Sequence, residues 1–221
     1  MLNSSARASS ATVDTGHVGA YAGRSAGAWN VRTGAEFAWS SVSTNRSIVF
    51  PGFSEVASAS YNVGLAQVFG EVGYGVALGN IAAEPFAGLA YVHLHSGSFA
   101  ESGGLAALSG ANGDQDVGYS MLGARLATSW VLPNGPAVTP RVSAAWQHAF
   151  GDVTPAAALT FQTLGTSFNI AGVPLARDAA VVDAGFDVRV TPQLTLALSY
   201  FGKLAGNAED HSVKGTFAYR F

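Results

Sequence analysis

The chain has 221 residues, 48% of them hydrophobic but only 11% charged, with a net charge of −3. A soluble domain usually carries about 25% charged residues, so this composition argues against an ordinary water-facing surface. The slightly acidic balance argues against a nucleic-acid partner. The absence of cysteine excludes a disulfide framework and thiolate metal sites.

Residues 1–14 are small and polar, without the apolar stretch of a secretory signal peptide, and are expected to be irregular. From residue 15 onward, apolar and polar side chains alternate with the period of two that belongs to a β-strand. Residues 15–23 set Val18, Ala20 and Ala22 against His17, Gly19 and Tyr21. Residues 28–42 set Trp29, Val31, Ala35, Phe37 and Trp39 against Asn30, Arg32, Gly34, Glu36 and Ser40. In residues 59–78, Ala66, Val68, Val72, Tyr74 and Val76 oppose Gln67, Phe69, Glu71, Gly73 and Gly75. In residues 81–95, Pro85, Ala87, Leu89 and Tyr91 oppose Glu84, Phe86, Gly88 and Ala90. Residues 117–132 place Leu122, Ala124, Leu126, Trp130 and Leu132 against Gly123, Arg125, Ala127 and Ser129. Residues 138–150 place Val142, Ala144, Trp146 and Phe150 against Thr139, Arg141, Ser143 and Gln147. Residues 179–190 place Val182, Ala184, Phe186 and Val188 against Asp183, Gly185, Asp187 and Arg189. Residues 193–203 place Leu194, Leu196, Leu198 and Tyr200 against Thr195, Ala197, Ser199 and Lys203. The last stretch, 213–221, places Val213, Phe217, Tyr219 and Phe221 against Lys214, Thr216 and Arg220.

About nine strands follow, each of about ten residues or more, the length a tilted strand needs to cross a bilayer. The longest uncharged window, residues 154–176, contains Gln162, Asn169 and Pro174 and is no spanning helix. Backbone groups in lipid must be paired within the protein, which leaves an antiparallel up-and-down transmembrane β-barrel as the all-β solution. Arg32, Glu36, Glu71, Glu84, Arg125, Arg141, Asp183, Asp187, Arg189, Lys214 and Arg220 all fall on the polar face and are expected to face the lumen. They read as a mutually neutralising network, or as groups that set ion selectivity. Short connections (24–27, 78–80, 133–137, 191–192) alternate with long ones (43–56, 96–116, 151–177, 205–210). Short periplasmic turns and long outer loops give that alternation, and place the C-terminus at the periplasmic edge. The loop 96–116 is expected to be mobile and solvent-facing.

Sites of chemistry are few. His93 and His95 lie near Ser96, Ser98, Glu101, Asp114 and Asp116, a set that an outer-rim enzyme would need within hydrogen-bond reach. Interfacial polar residues explain the same set without catalysis. The Gly-x-x-Gly-x-Gly run at Gly70–Gly75 is followed by strand alternation and not by the helix of a phosphate loop. Asp14, Asp114, Asp116 and Asp210 lack the density of a calcium loop. No cofactor, metal site or catalytic residue is expected.

Several segments carry a resemblance: Phe50-Pro51-Gly52-Phe53-Ser54, Glu84-Pro85-Phe86-Ala87-Gly88-Leu89-Ala90-Tyr91-Val92, His148-Ala149-Phe150-Gly151-Asp152, residues 168–179, and Phe217 to Phe221. Together they make residues 15–221 resemble the C-terminal β-barrel translocator domain of autotransporters, the type V secretion proteins. The resemblance implies an outer-membrane barrel in a Gram-negative cell, partnered by the lipid bilayer, the β-barrel assembly machinery and a passenger polypeptide. It implies that Phe217, Tyr219 and Phe221 form the assembly signal. It also implies that Gly19 beside Tyr21, with Gly73, Gly75 and Gly88, are lumen-facing glycines against which aromatics lean. Family barrels have twelve strands. A chain with about nine is therefore expected to be an N-terminally truncated member, lacking three strands, the pore helix and the passenger. A non-translocating pore and an adhesin that binds through its loops are the alternative functions.

Overall fold

Alternation with a period of two becomes strand along almost the whole described chain. The computed structural model describes residues 2–4, 9–133 and 135–220. The strands are β1 (Leu2–Ser4), β2 (Ser9–Ala26), β3 (Trp29–Phe50), β4 (Phe53–Tyr74), β5 (Val76–Leu78), β6 (Ile81–Ser96), β7 (Phe99–Ala100) and β8 (Leu108–Gly110). They continue with β9 (Gly113–Thr128), β10 (Trp130–Val131), β11 (Ala137–Gly151), β12 (Ala156–Phe161), β13 (Ser167–Ala171), β14 (Asp178–Arg189), β15 (Leu194–Ala205) and β16 (Glu209–Tyr219).

One 12-stranded antiparallel sheet runs in the order β1-β2-β3-β4-β6-β9-β11-β14-β15-β16, with β5 beside β6 and β10 beside β11. Its long members are the nine stretches read from the sequence. Among the described residues its two ends, β1–β2 and β16, do not pair with each other. Neighbours in sequence are neighbours in space, so short turns suffice on one side. Gly27 and Gly79 make two of these turns at φ 61°, a left-handed conformation that suits glycine.

The sheet has no conventional core. Among the described residues no large side chain is fully buried. Val18, Phe37, Trp39, Val68, Leu122 and Trp146 are exposed on the outward face, and Leu89 and Phe217 are each 69% exposed. A monomer in water rarely shows so continuous an apolar surface. As a lipid-facing band it needs no partner.

The outer ends differ from the sequence-based expectation in three ways. The first long strand, β2, begins at Ser9, upstream of residue 15, because β3 extends far enough to pair Ser9 to Asp14 with Arg46 to Ser41. Residues 43–56 are strand and not loop: β3 and β4 each run 22 residues, roughly 70 Å of chain. They are joined by Pro51-Gly52 alone, with Gly52 at φ 84° and the Phe50 and Phe53 rings stacked at 4.6 Å. Finally, the loops 96–116 and 151–177 are not independent chain. They fold into a four-stranded sheet ordered β13-β12-β8-β7.

That second sheet has a physical anchor. Above Trp39 the inner face of β3 and β4 buries Val42, Ala57 and Ala59 and keeps two charged residues, Arg46 and Glu55. Phe99 of β7 stacks on Tyr61 at 5.3 Å. The Glu101 carboxylate, 8% exposed, takes an ion pair from Arg46 at 2.5 Å and a backbone N–H from Leu108 at 2.8 Å. Glu55 accepts the N–H groups of Leu105 and Ala106, both at 2.9 Å. Paired carboxylates and a small apolar layer thus tie the loops to the β3–β4 hairpin.

The register of β14 gives a direct test. Val188 pairs with Val138 and Leu196 on the outward side, while Arg189 is on the other face. Val188→Lys is expected to cost about 2–4 kcal/mol of folding into a bilayer, and Arg189→Leu far less. Urea unfolding from lipid vesicles measures both, and equal costs would contradict this register.

Candidate functional site

The inward side chains of β3, β4, β6 and β9 converge on one charge cluster. Arg32 of β3 lies directly opposite Glu71 of β4, and Glu84 of β6 directly opposite Arg125 of β9. The contacts then cross strands. Arg32 Nη1 lies 2.9 Å from Glu71 Oε1 and 2.7 Å from Glu84 Oε1. Arg125 lies 2.5 Å from Glu71 Oε2 and 2.9 Å from Glu84 Oε1. Asn30 Nδ2 donates to Glu84 Oε2 at 2.7 Å. Two cations and two anions close a neutral four-membered network, with multiple charge-assisted hydrogen bonds per group.

Packing holds the network in place. The Arg125 guanidinium sits 3.8 Å above the Phe86 ring, a cation–π contact. Gly123 makes room for that ring. A Cβ there would lie 2.7 Å from Phe86 Cζ and 2.5 Å from the Ala144 carbonyl. Gly73 likewise leaves space for Glu84, whose Oε1 would lie 2.7 Å from an added Cβ. Further round, Arg141 of β11 pairs with Asp183 of β14 at 2.8 Å and approaches Asp187 at 3.6 Å.

These groups line one cavity of about 870 Å³, whose wall runs from Asn30 on β3 to Phe201 on β15. Side chains so far apart in strand order share a cavity only if the sheet curls. Lys203 of β15 shows the same curvature by reaching within 5.5 Å of the Tyr119 ring on β9. The polar face is therefore the concave one.

The predicted polar residues divide into two groups. Arg32, Glu71, Glu84, Arg125, Arg141, Asp183 and Asp187 are brought together as described. Glu36, Arg189 and Lys214 lie on the same face, opposite Gln67, Thr195 and Ser199, and make no ion pair among the described residues. Arg220 follows the end of β16 and its N–H donates to the Gln193 carbonyl at 2.9 Å. Phe217 and Tyr219 stand exposed opposite Leu196 and Leu194. Phe221 lies outside the described residues.

The glycine expectation needs correction. Gly73 faces Glu84, Gly88 faces Glu71, and Gly19 faces Glu36, all by side-chain atoms that are not aromatic. Gly75 lies near the Ala28 carbonyl and Asn30. On the concave face of the sheet, Phe69 covers Gly34 and Phe86 covers Gly123; elsewhere Trp39 covers Gly16, Phe99 covers Gly110 and Tyr200 covers Gly202. Alternation gave the face but not which ring leans on which neighbour. Phe86, Asn30 and Lys203 were legible only as members of the polar face.

The rim histidines do not assemble a nucleophile. His93 Nδ1 lies 2.7 Å from Asp116 and His95 Nδ1 lies 2.5 Å from Asp114. Among the described residues no serine hydroxyl is recorded against either ring, and no group of three or more His, Asp or Glu is placed to hold a metal ion.

The network predicts an asymmetry between two glutamates of one face. Glu84→Leu leaves Arg32 and Arg125 short of an anion and is expected to lower stability by about 3 kcal/mol. Glu36→Leu is expected to change it by no more than about 0.5 kcal/mol. Urea titration in vesicles checks the difference, and comparable losses would show that the network does not hold the sheet together.

Comparison with known proteins agrees with this architecture. The family model described as "Autotransporter beta-domain" matches residues 1–200. Two proteins of Serratia marcescens, both named extracellular serine protease, are 35% and 34% identical over 213 and 208 residues. The matches cover 96% and 94% of this chain, which spans about a fifth (20%) of each of these relatives. Among solved structures, the translocator domain of autotransporter NalP from Neisseria meningitidis has a TM-score of 0.70 at 20% identity, covering 96% of this chain and 68% of that one. That likeness is one of fold. A curled antiparallel sheet with a lipid-suited exterior and a charged concave face, together with the family match across most of its length, places this chain in the autotransporter β-domain family.

Proposed function

We propose that this chain serves as the outer-membrane anchor and translocation barrel for a passenger polypeptide carried by the same protein. The observation that supports it most is the division of the sheet into two faces. Outward side chains suit lipid, and the crowded inward charges at Arg32, Glu71, Glu84 and Arg125 are matched within the concave wall. A translocating polypeptide needs a hydrophilic wall that does not hold it. A neutral network of Arg32, Glu71, Glu84 and Arg125 offers polarity without a net field. Glu36, Arg189, Lys214 and Arg220 extend this lumen-facing polar set.

Catalysis belongs to the rest of such a protein in this reading. The Serratia relatives are named as proteases, and this chain matches one fifth of them. Its own part is to insert, to hold the sheet in the outer membrane and to line the passage. Phe217, Tyr219 and Phe221 act as the terminal signal for the β-barrel assembly machinery, the first two standing on β16, which is exposed along its length.

The experiment is fractionation of a Gram-negative host expressing the chain behind a periplasmic export leader and an N-terminal epitope. The chain is expected in the outer-membrane fraction, with the epitope removed by protease added to whole cells. Phe217→Ser combined with Tyr219→Ser is expected to lower the membrane-inserted amount at least several-fold. A wild-type chain that stays in the periplasm would contradict the reading. So would insertion that the double substitution leaves unchanged, for the assembly signal.

A further inference from the structure

The outward faces of β6, β9, β11 and β14 hold ionisable acids and imidazoles only at their outer ends. Among the described residues these are His93, His95, Asp114, Asp116, His148 and Asp178. Each imidazole meets a carboxylate directly across the ladder: His93 with Asp116, His95 with Asp114, His148 with Asp178. The Nδ1 to Oδ1 distances are 2.7, 2.5 and 2.7 Å. Aromatic residues join two of the pairs. Tyr91 donates its hydroxyl to Asp116 at 2.6 Å, and Trp146 donates Nε1–H to Asp178 at 2.9 Å.

Fold stability does not account for these pairs. The carboxylates are 47–60% exposed on their side chains, and an exposed ion pair contributes at most about 1 kcal/mol. Their position is better explained by what surrounds them. They sit just above the lipid-facing band, with aromatics of mixed polarity, where a membrane protein meets headgroups. A carboxylate beside an imidazole favours the imidazolium. With Nδ1 committed to the aspartate, the imidazolium has one donor left, Nε2–H. That is a complement to a phosphate oxygen.

We propose that these three pairs form a headgroup belt that binds the phosphate groups of lipids in the surrounding leaflet. The proposal rests on the membrane-spanning reading of the sheet. The groups facing each ring are few. His93 faces Asp116 and Asp114 on β9 and Ala66 on β4, with Tyr91 and His95 on its own strand. His95 faces Asp114 and Gly64. His148 faces Asp178 on β14 and Ser120 on β9, between Trp146 and Phe150. No lysine or arginine stands beside His93 or His95; Arg177, next to Asp178 in sequence, donates to the Ala149 carbonyl at 3.5 Å and adds a guanidinium beside the His148 pair.

His17 is the internal control. It lies on the concave face opposite Ala38 and has no carboxylate partner among the described residues. The test uses the full chain folded in lauryl dimethylamine oxide micelles, with histidine ring carbons labelled and followed by NMR across about pH 5 to 8. Short-chain phosphatidic acid is added in one series and inorganic phosphate at equal concentration in another. The expected result is that phosphatidic acid raises the titration midpoints of His93, His95 and His148 by about half a unit or more. His17 stays put, and inorganic phosphate has no such effect. Asp116→Asn and Asp178→Asn should remove the rise at His93 and His148. Equal movement of His17, no movement at all, or an equal response to inorganic phosphate would each overturn the proposal. Failure of the outer-membrane reading shows separately, in the fractionation described above, with this lipid response intact.

Discussion

Pairing every backbone N–H and C=O inside the sheet is the constraint from which the rest of this structure follows. In hydrocarbon an unpaired group costs several kcal/mol, so a spanning chain without helices must run as hydrogen-bonded strands. Once strands are fixed, side chains can go only outward or inward. The outward set must tolerate lipid, and the inward set must tolerate a narrow wet space. The low charge content of the chain is then expected. Only one face in two accepts charge, and where charges crowd, as at Arg32, Glu71, Glu84 and Arg125, they are matched by opposite neighbours.

The Arg32–Glu84–Arg125–Glu71 network shows how the second condition is met. Neighbouring strands place Arg32 against Glu71 and Glu84 against Arg125. Curvature then brings the two pairs into one cluster, because side chains on a concave face converge. Glycine decides where that convergence fits. At Gly123 the Phe86 ring and the Ala144 carbonyl already fill the space a Cβ would take. The curl of the sheet, the cation–π contact and the ion pairs are consequently one arrangement.

Much of this was legible from alternation alone. The nine long strands, the face of every spanning charge and the short turn at Gly79-Asn80 follow from period-two patterning and turn chemistry. What escaped was the outer region. Residues 43–50 alternate only in part, with Ser43, Asn45 and Ser47 on the outward side where a lipid-facing strand would be apolar. The segment reads as loop for that reason, although it continues the strand from Val42, with its inward Arg46 held by Glu101 and the Ala106 carbonyl of the folded loops. Contacts between distant segments, such as Arg46 with Glu101, leave no local signal. Ring-over-glycine pairings escaped for the same reason, since they depend on which way each ring tilts.

The central claim is that one face of the sheet meets lipid and the other meets water, and the absence of cysteine makes a direct measurement clean. Single cysteines placed in turn at Ala35, Glu36, Phe37, Ala38, Trp39 and Ser40 of β3, with the chain folded in vesicles, can be tested with a water-soluble thiol reagent and, after spin labelling, with a lipid-dissolved relaxation agent. Reactivity toward the aqueous reagent is expected at 36, 38 and 40, and relaxation by the lipid-dissolved agent at 35, 37 and 39. Accessibility that does not alternate, or that alternates in the opposite phase, would contradict the account.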